Sequence, residues 1–245
     1  MSIKKYLNRL FFAIKEKTYN GRIKYIYENN NSDELIISFA AFSDSPCYNY
    51  YRALRNVASD KLFLQDNFGY KGSYLLYENG SNLPERLTLN LINMILNKKH
   101  YHKISTIGTS KGGTCAIYFG LQINANYIYS GANQYYIGKY LNNESHRLIL
   151  QRMMGGGKTI NENQEILDSV MPNLINKFKN SKSHIFILYS KHEHTYLDDI
   201  KPMLTDLKNT NIAYTEVIEN FHEHNEVGTY FIPFIQKQFN NIKNE

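Results

Sequence analysis

What this 245-residue sequence lacks narrows the classes of protein it can belong to. It has only two cysteines, Cys47 and Cys115, which are too few for a disulfide framework. No apolar run approaches the roughly 20 residues that a membrane-spanning helix requires. The apolar residues 10–14 are too few for a signal-peptide core, and no small-residue cleavage site follows them. The cytoplasm is therefore the expected location.

Tryptophan is absent too, so the aromatic content comes from 21 tyrosines and 13 phenylalanines. Tyrosine suits sugar-facing surfaces, although it also packs well in strands and cores. Hydrophobic residues make up 42% and charged residues 20%, which is typical of a globular protein and not of a disordered one. A chain of this length can bury a sizeable core within one domain.

Acidic residues are outnumbered, with 22 against 28 lysines and arginines and a net charge of +6. This balance favours anionic partners. Because the lysines are scattered along the chain, they do not indicate whether the partner is nucleic acid, a membrane surface, a phosphorylated cofactor or an anionic polymer. Residues 1–17 predict a basic amphipathic helix, whose apolar stripe packs on the core or docks peripherally at the inner membrane.

Buried-type strands alternate with helices along the rest of the chain. We predict strands at 22–27, 35–40, 61–64, 73–77, 103–107, 126–130, 185–189 and 212–218, and helices at 51–57, about 82–99, 111–122, 197–207 and 227 to about 242. Between 132 and 182 the pattern is helical, without a strong strand. This alternation predicts one α/β domain over residues 1–245, a mostly parallel sheet with helices on both faces, and a helical cap insertion at about 132–182.

The central motif is residues 108–112, Gly-Thr-Ser-Lys-Gly, between a predicted strand and a predicted helix. It matches G-x-S-x-G, the nucleophile elbow of the α/β-hydrolase fold. The two glycines are needed because a Cβ at either position would clash with the neighbouring strand or helix. Ser110 is thus the candidate nucleophile.

Such a serine needs a histidine base and a carboxylate that orients it, and in this fold the chain order is nucleophile, acid, histidine. Strand 212–218 is followed by His222 and His224 just before the last helix, and we favour His224 as the base. Strand 185–189 is followed by Glu193, the favoured acid. Asp198 and Asp199 are alternative acids that fall inside a predicted helix.

The amide of Lys111 and an amide of Ala41 or Phe42 are the candidate oxyanion-hole donors. The Lys111 cation lies in the first turn of a helix, where the helix dipole opposes it. A cofactor phosphate could offset that cost, or the lysine is simply solvated. Gln134 and Tyr135, near the start of the insertion, are further candidate substrate-binding residues.

Two other patterns indicate different chemistry. Residues 192–194 and 222–224 both read His-Glu-His, a spacing that can bind a metal, but a metal would leave the elbow serine unexplained. We therefore predict no metal. Residues 155–159, Gly-Gly-Gly-Lys-Thr, resemble a phosphate loop, yet Arg152 occupies the position of the required first glycine. A flexible hinge is the better interpretation.

Taken together, these motifs resemble a bacterial α/β-hydrolase-like group of capsular polysaccharide biosynthesis proteins. The group comprises the XcbB/CpsF type, the serine-dependent capsule O-acetyltransferases and the glycan acetylation proteins of accessory secretion. The resemblance spans most of the chain from about residue 34, and its most specific part is Ser-Lys-Gly-Gly at 110–113. It is also carried by residues 36–42, 48–50, 130–134, 140–141 and 224–227.

The resemblance implies that Ser110 is acetylated, that His224 is the base and that Glu193 aligns with the family acid, which is usually aspartate. It implies acetyl-CoA as co-substrate, with no bound cofactor, and a capsule-type polysaccharide as acceptor. Among other partners, we expect peripheral contact with the inner membrane or a capsule-assembly complex, and no nucleic acid. A carbohydrate esterase with the same triad is the alternative function, and a non-catalytic glycan-assembly protein is a third.

Overall fold

A computed structural model describes residues 12–43 and 47–240, and it is built on one eight-stranded sheet. The strands are β1 (Lys17–Tyr19), β2 (Ile23–Glu28), β3 (Glu34–Phe39), β4 (Asp60–Leu64), β5 (Lys103–Thr109), β6 (Tyr127–Gly131), β7 (His184–Ser190) and β8 (Ala213–Glu219). The helices are α1 (Leu83–Leu96), α2 (Lys111–Gln122), α3 (Ile137–Leu141), α4 (Arg147–Met154), α5 (Ile160–Asp168), α6 (Val170–Lys177), α7 (Lys201–Lys208) and α8 (Val227–Asn240).

The strand order is β1-β2-β4-β3-β5-β6-β7-β8, and the sheet is parallel from β4 to β8. At one edge of the sheet, β1 pairs antiparallel with β2, and β2 pairs antiparallel with β4. The chain moves from β3 outward to β4 and then returns to the other side of β3 with β5. Ligand sites in open α/β sheets form at such a reversal, beyond the carboxyl ends of the strands. Both the elbow after β5 and the loop after β3 lie there.

Apolar clusters cover both faces of the sheet, which explains why the central strands are continuously apolar. Ile37 of β3 and Ile128 of β6 are fully buried in the larger cluster, beneath α1, α2 and the helices that follow β6. Ile36 of β3 and Leu188 of β7 point to the other face, where they pack against α8 and the segment 48–57. The predicted mostly parallel α/β-hydrolase sheet is therefore confirmed.

Two predicted elements are absent as regular structure. The helix expected at 51–57 is a run of turns, entered through Tyr50 in a left-handed conformation with φ +63°. The strand expected at 73–77 is also a turn, since Tyr74 and Leu75 have φ +57° and +56°. The Asp66 carboxylate accepts hydrogen bonds from the amides of Ser73 and Leu75, which fixes that turn in place of a strand pairing.

Most of the predicted amphipathic segment 1–17 lies outside the described residues. Residues 12–15 are helical, but Lys17 already begins β1, so the predicted helix end is wrong. Phe12 packs its ring 5.2 Å from that of Tyr51, on the sheet face that carries α8. Among residues 12–43 and 47–240, no helix is long and apolar enough to cross a membrane.

Between β6 and β7 the chain forms the four helices α3 to α6. Helix α5 begins at a capping box, in which Thr159 and Glu162 satisfy each other's backbone amides. This cap accounts for the threonine of the sequence that resembles a phosphate loop. That the region acts as a cap over the site stays a prediction.

Candidate active site

Ser110 sits at the top of a sharp turn between β5 and α2, with the strained backbone angles φ +53° and ψ −129°. Two close approaches make this turn depend on glycine. A Cβ on Gly108 would lie 2.1 Å from the carbonyl oxygen of Gly112, and a Cβ on Gly112 would lie 2.6 Å from that of Phe39. The Ser110 amide donates to the Gly131 carbonyl at 2.8 Å, which holds the strained residue in place.

Three loops bring a histidine and a carboxylate to this serine. His224 Nε2 lies 2.8 Å from Ser110 Oγ, although the two residues are 114 positions apart in the sequence. His224 Nδ1 lies 2.9 Å from Glu193 Oε1. The loops are joined at their base by Ser190, whose buried hydroxyl accepts the amides of His192 and Phe221. The arrangement is a continuous hydrogen-bonded chain from carboxylate to imidazole to hydroxyl.

Glu193 is almost completely buried, and the role predicted for it, to orient the His224 imidazole, requires an ionised carboxylate. Burial acts to raise its pKa, but hydrogen bonds from His224 and Thr195 together outweigh burial and hold the pKa below its ordinary value. Thr195 donates its hydroxyl to Oε2, so Oε1 remains directed at His224. A carboxylate in this state keeps the proton of the neutral imidazole on Nδ1 and leaves Nε2 as a base.

The alternative acids and base are occupied elsewhere. Asp198 is exposed and forms an ion pair with Lys139. Asp199 accepts the amides of Tyr135 and Tyr136. His222 is exposed and stacks on the ring of His192. Of the residues considered from the sequence, the structure therefore assembles Ser110, His224 and Glu193, whose catalytic roles stay a prediction.

Gln134 reaches the Ser110 hydroxyl directly. Its side chain is fully buried, Nε2 donates to Ser110 Oγ at 3.1 Å, and Oε1 accepts from the Tyr74 hydroxyl at 3.3 Å. The Ser110 hydroxyl can accept this bond and still donate its own proton to His224. Gln134 thus helps to fix the position of the Ser110 hydroxyl.

Tyr135 was expected beside the substrate, and the structure corrects this. The tyrosine is fully buried and donates its hydroxyl to Asp206, away from Ser110. Its backbone amide is held by Asp199. The segment bends so that Gln134 faces the site while Tyr135 packs into the core.

The Lys111 side chain also differs from expectation. It is buried, and Nζ lies 2.6 Å from Asp66 Oδ2 instead of facing solvent or a ligand. This ion pair offsets the unfavourable helix dipole, so no cofactor phosphate is needed for that purpose. The predicted contact between the Lys111 side chain and substrate is therefore wrong. Its backbone amide, at the first residue of α2, has no acceptor within the helix and remains suited to an oxyanion.

The second oxyanion donor was left open between Ala41 and Phe42. The Ala41 amide donates to Asn49 Oδ1 at 3.3 Å, and both residues border the pocket in front of Ser110. Because the Ala41 amide is already engaged, the Phe42 amide is the better candidate. Asn49 itself belongs to a stretch that carried the family resemblance, but nothing in the sequence indicated this bond.

A pocket of about 610 Å³ opens in front of the serine, bordered on one side by aromatic rings. The rings of Tyr140 and His146 stack at a centroid distance of 5.0 Å, and Phe42 stacks on Tyr140 at 6.5 Å. We call these three residues the aromatic wall. Burial raises the pKa of Tyr140 and lowers that of His146, which favours the uncharged form of each. His146 carried no signal in the sequence.

The mostly parallel sheet and the elbow at Ser110 define an α/β-hydrolase fold. Its site contains a hydrogen-bonded serine–histidine–glutamate arrangement. The chain is similar to the capsule O-acetyltransferase of Neisseria meningitidis serogroup A in complex with CoA, at a TM-score of 0.78 and 19% identity, covering 91% of this chain and 94% of that one. No family model and no curated protein sequence matches it.

Two other solved structures extend the comparison. A glycosylation-associated protein complex from Streptococcus agalactiae matches at a TM-score of 0.72 and 16% identity, covering 89% of this chain and 44% of that one. A fluorophosphonate-binding serine hydrolase from Staphylococcus aureus matches at 0.65 and 11% identity, covering 91% and 92%. At these identities the likeness establishes the fold, which is shared by transferases and hydrolases.

Proposed function

We propose that this protein is an O-acetyltransferase that moves an acetyl group from acetyl-CoA to a hydroxyl of a capsular or other surface polysaccharide. The observation that carries the proposal is the 2.8 Å contact between His224 Nε2 and Ser110 Oγ, backed by buried Glu193, in a fold shared with an O-acetyltransferase seen with CoA. The net charge of +6 also suits an anionic donor.

In the first half-reaction, the Ser110 hydroxyl gives its proton to His224 Nε2 as Oγ bonds to the thioester carbon. The amides of Lys111 and Phe42 stabilise the resulting oxyanion. Collapse breaks the carbon–sulfur bond, and His224 returns the proton to the departing CoA sulfur. Ser110 is left acetylated, and its oxygen keeps the hydrogen bond from Gln134.

In the second half-reaction, a sugar hydroxyl gives its proton to His224 and attacks the acetyl carbon. The Ser110–acetyl bond breaks, and His224 returns the proton to Ser110 Oγ. Transfer must outcompete hydrolysis, which requires that a sugar be held where water would otherwise attack. The aromatic wall supports this requirement, because sugar rings pack their C–H faces on aromatic faces.

The decisive experiment incubates pure protein with acetyl-CoA and capsule oligosaccharides and measures the mass of the sugar. A gain of one acetyl group per modified hydroxyl is expected, and intact protein without acceptor should carry one acetyl on Ser110. The Ser110→Ala variant should show neither product. Full activity of this variant would refute the nucleophile assignment.

His224→Ala and His222→Ala form a matched pair, because the two histidines lie on the same loop and only His224 contacts Ser110. We expect loss of transfer in the first and wild-type transfer in the second. Release of acetate from acetylated oligosaccharides, without transfer from acetyl-CoA, would instead identify a carbohydrate esterase.

A further inference from the structure

Glu193 has a second imidazole partner that the acetyl-transfer mechanism does not use. His194 Nδ1 lies 2.7 Å from Glu193 Oε1, the same oxygen that accepts from His224 Nδ1 at 2.9 Å. The three ligating atoms all lie within 4.8 Å of one another. Two imidazole nitrogens and one carboxylate oxygen are the donor set of several catalytic zinc sites.

The geometry points to a divalent transition-metal site, for an ion such as Zn²⁺, formed by His194, Glu193 and His224, whose occupation switches the enzyme off. The inhibitory part rests on the proposed role of His224, whereas metal binding itself does not.

The cluster is accessible and its central ligand is already oriented. The His194 side chain is 61% exposed and that of His224 is 23% exposed, so an ion can enter from solvent. Glu193 is anchored from behind, because Thr195 donates to its other oxygen. Such an outer contact orients the carboxylate toward the ion, as is usual at metal sites.

The ligand atoms, which lie within 4.8 Å of one another, must rearrange to accommodate the ion. Zinc bonds of about 2.0–2.1 Å in a tetrahedron separate neighbouring ligand atoms by roughly 3.3 Å. The two nitrogen–oxygen distances of 2.7 and 2.9 Å must therefore lengthen by roughly half an ångström. The exposed His194 ring is free to make most of this movement, and water would complete the coordination.

Inhibition follows from which ring nitrogen of His224 carries the proton. A neutral imidazole carries one proton, and a metal on Nδ1 requires that proton to reside on Nε2. Nε2 then donates to Ser110 Oγ and no longer accepts its proton. The metal also takes Glu193 away from its role in orienting the ring. Both effects stop the attack of Ser110 without blocking the pocket.

Binding is tested first with the Ser110→Ala protein, which cannot turn over and retains all three ligands. We expect titration with Co²⁺ to give the visible absorption of a tetrahedral site, and excess Zn²⁺ to abolish it. The double variant with Ser110→Ala and His194→Ala should lack the visible cobalt absorption. His194→Gln keeps a donor to Glu193 without an imidazole and should behave like the alanine variant.

The matched control is His192→Ala, since His192 is an exposed histidine of the same loop that stacks on His222. It should leave the cobalt spectrum unchanged. No spectrum in the Ser110→Ala protein, or a spectrum lost only on removing His192, would overturn the site, whatever the outcome of the acetyl-transfer assay.

Inhibition is tested with wild-type protein in the acetyl-transfer or acetate-release assay. Zn²⁺ should inhibit reversibly, with activity restored by a chelator. Loss of a ligand should raise the inhibitory concentration at least about tenfold in His194→Gln, since even outer contacts affect metal affinity by that factor. Equal sensitivity of wild type and His194→Gln would overturn the inhibitory role.

Discussion

Replacing Asp199 with asparagine should change how the stability of the protein depends on pH. Burial raises the pKa of Asp199 to about 6 from an ordinary 3.8, even though the amides of Tyr136 and Tyr135 act to lower it. Both amides donate to the same oxygen, Oδ1, at 2.7 and 2.9 Å. An asparagine can offer an amide oxygen at that position, so Asp199→Asn removes the charge while keeping both acceptor contacts.

The stability of the wild-type protein should fall as the pH rises, because the native state binds the Asp199 proton more tightly than the unfolded chain does. The penalty for the buried carboxylate is absent below pH 3.8, grows between pH 3.8 and 6, and is complete above pH 6. The difference between about 6 and 3.8 corresponds to about 3 kcal/mol, at 1.36 kcal/mol per pKa unit. Wild-type protein should therefore lose up to about 3 kcal/mol across this range through Asp199 alone.

Urea unfolding of both proteins between pH 4 and pH 8 measures this effect. The stability of Asp199→Asn relative to wild type should improve by about 2.5 kcal/mol between the two ends, because about 0.5 kcal/mol of the penalty is already present at pH 4. Asp198→Asn, at the adjacent exposed residue, should change little over the same range. Parallel curves for Asp199→Asn and wild type would refute the assignment of a buried, destabilised carboxylate.

Three further outcomes are expected. Glu193→Gln should lower kcat by about 10³–10⁴-fold, because an amide can hold His224 in the wrong tautomer, and steady-state kinetics will show an unchanged rate if Glu193 has no such role. Gly112→Ala should cost about 1–3 kcal/mol and most of the activity, measured by thermal unfolding and acetyl transfer, because its Cβ would lie 2.6 Å from a carbonyl oxygen of β3. Lys111→Met should cost about 3–5 kcal/mol in urea unfolding, because it leaves the buried carboxylate of Asp66 without its cation; near-wild-type stability would contradict a charged pair.

The parts of the fold and site that could be predicted are those governed by local rules. The elbow was predictable because a serine on a tight strand-to-helix turn needs small neighbours, and Gly108 and Gly112 supply them. Glu193 and His224 were predictable because parallel strands end at one edge of the sheet, so the loops after β7 and β8 had to meet the elbow.

The errors arise where a side chain outside the stretch itself decides the conformation. The stretch 73–77 has the apolar pattern of a strand, but the Asp66 carboxylate binds its amides and selects a left-handed turn. The same aspartate pairs with Lys111, 45 residues further along, and so removes that side chain from the site. Similarly, no local rule reveals that Asp199 turns Tyr135 inward and leaves Gln134 facing the serine.

The separation of 114 residues between Ser110 and His224 has a consequence for how this protein can be studied during folding. The hydrogen bonds that join Ser110, His224 and Glu193 require β5, β7 and β8 to be aligned, so they depend on long-range contacts, which are slow to form. A serine-directed phosphonate applied during refolding would label only molecules with a completed sheet edge. With Ser110 in its proposed role as nucleophile, the labelled fraction measured by mass would report how many molecules have completed this edge of the sheet.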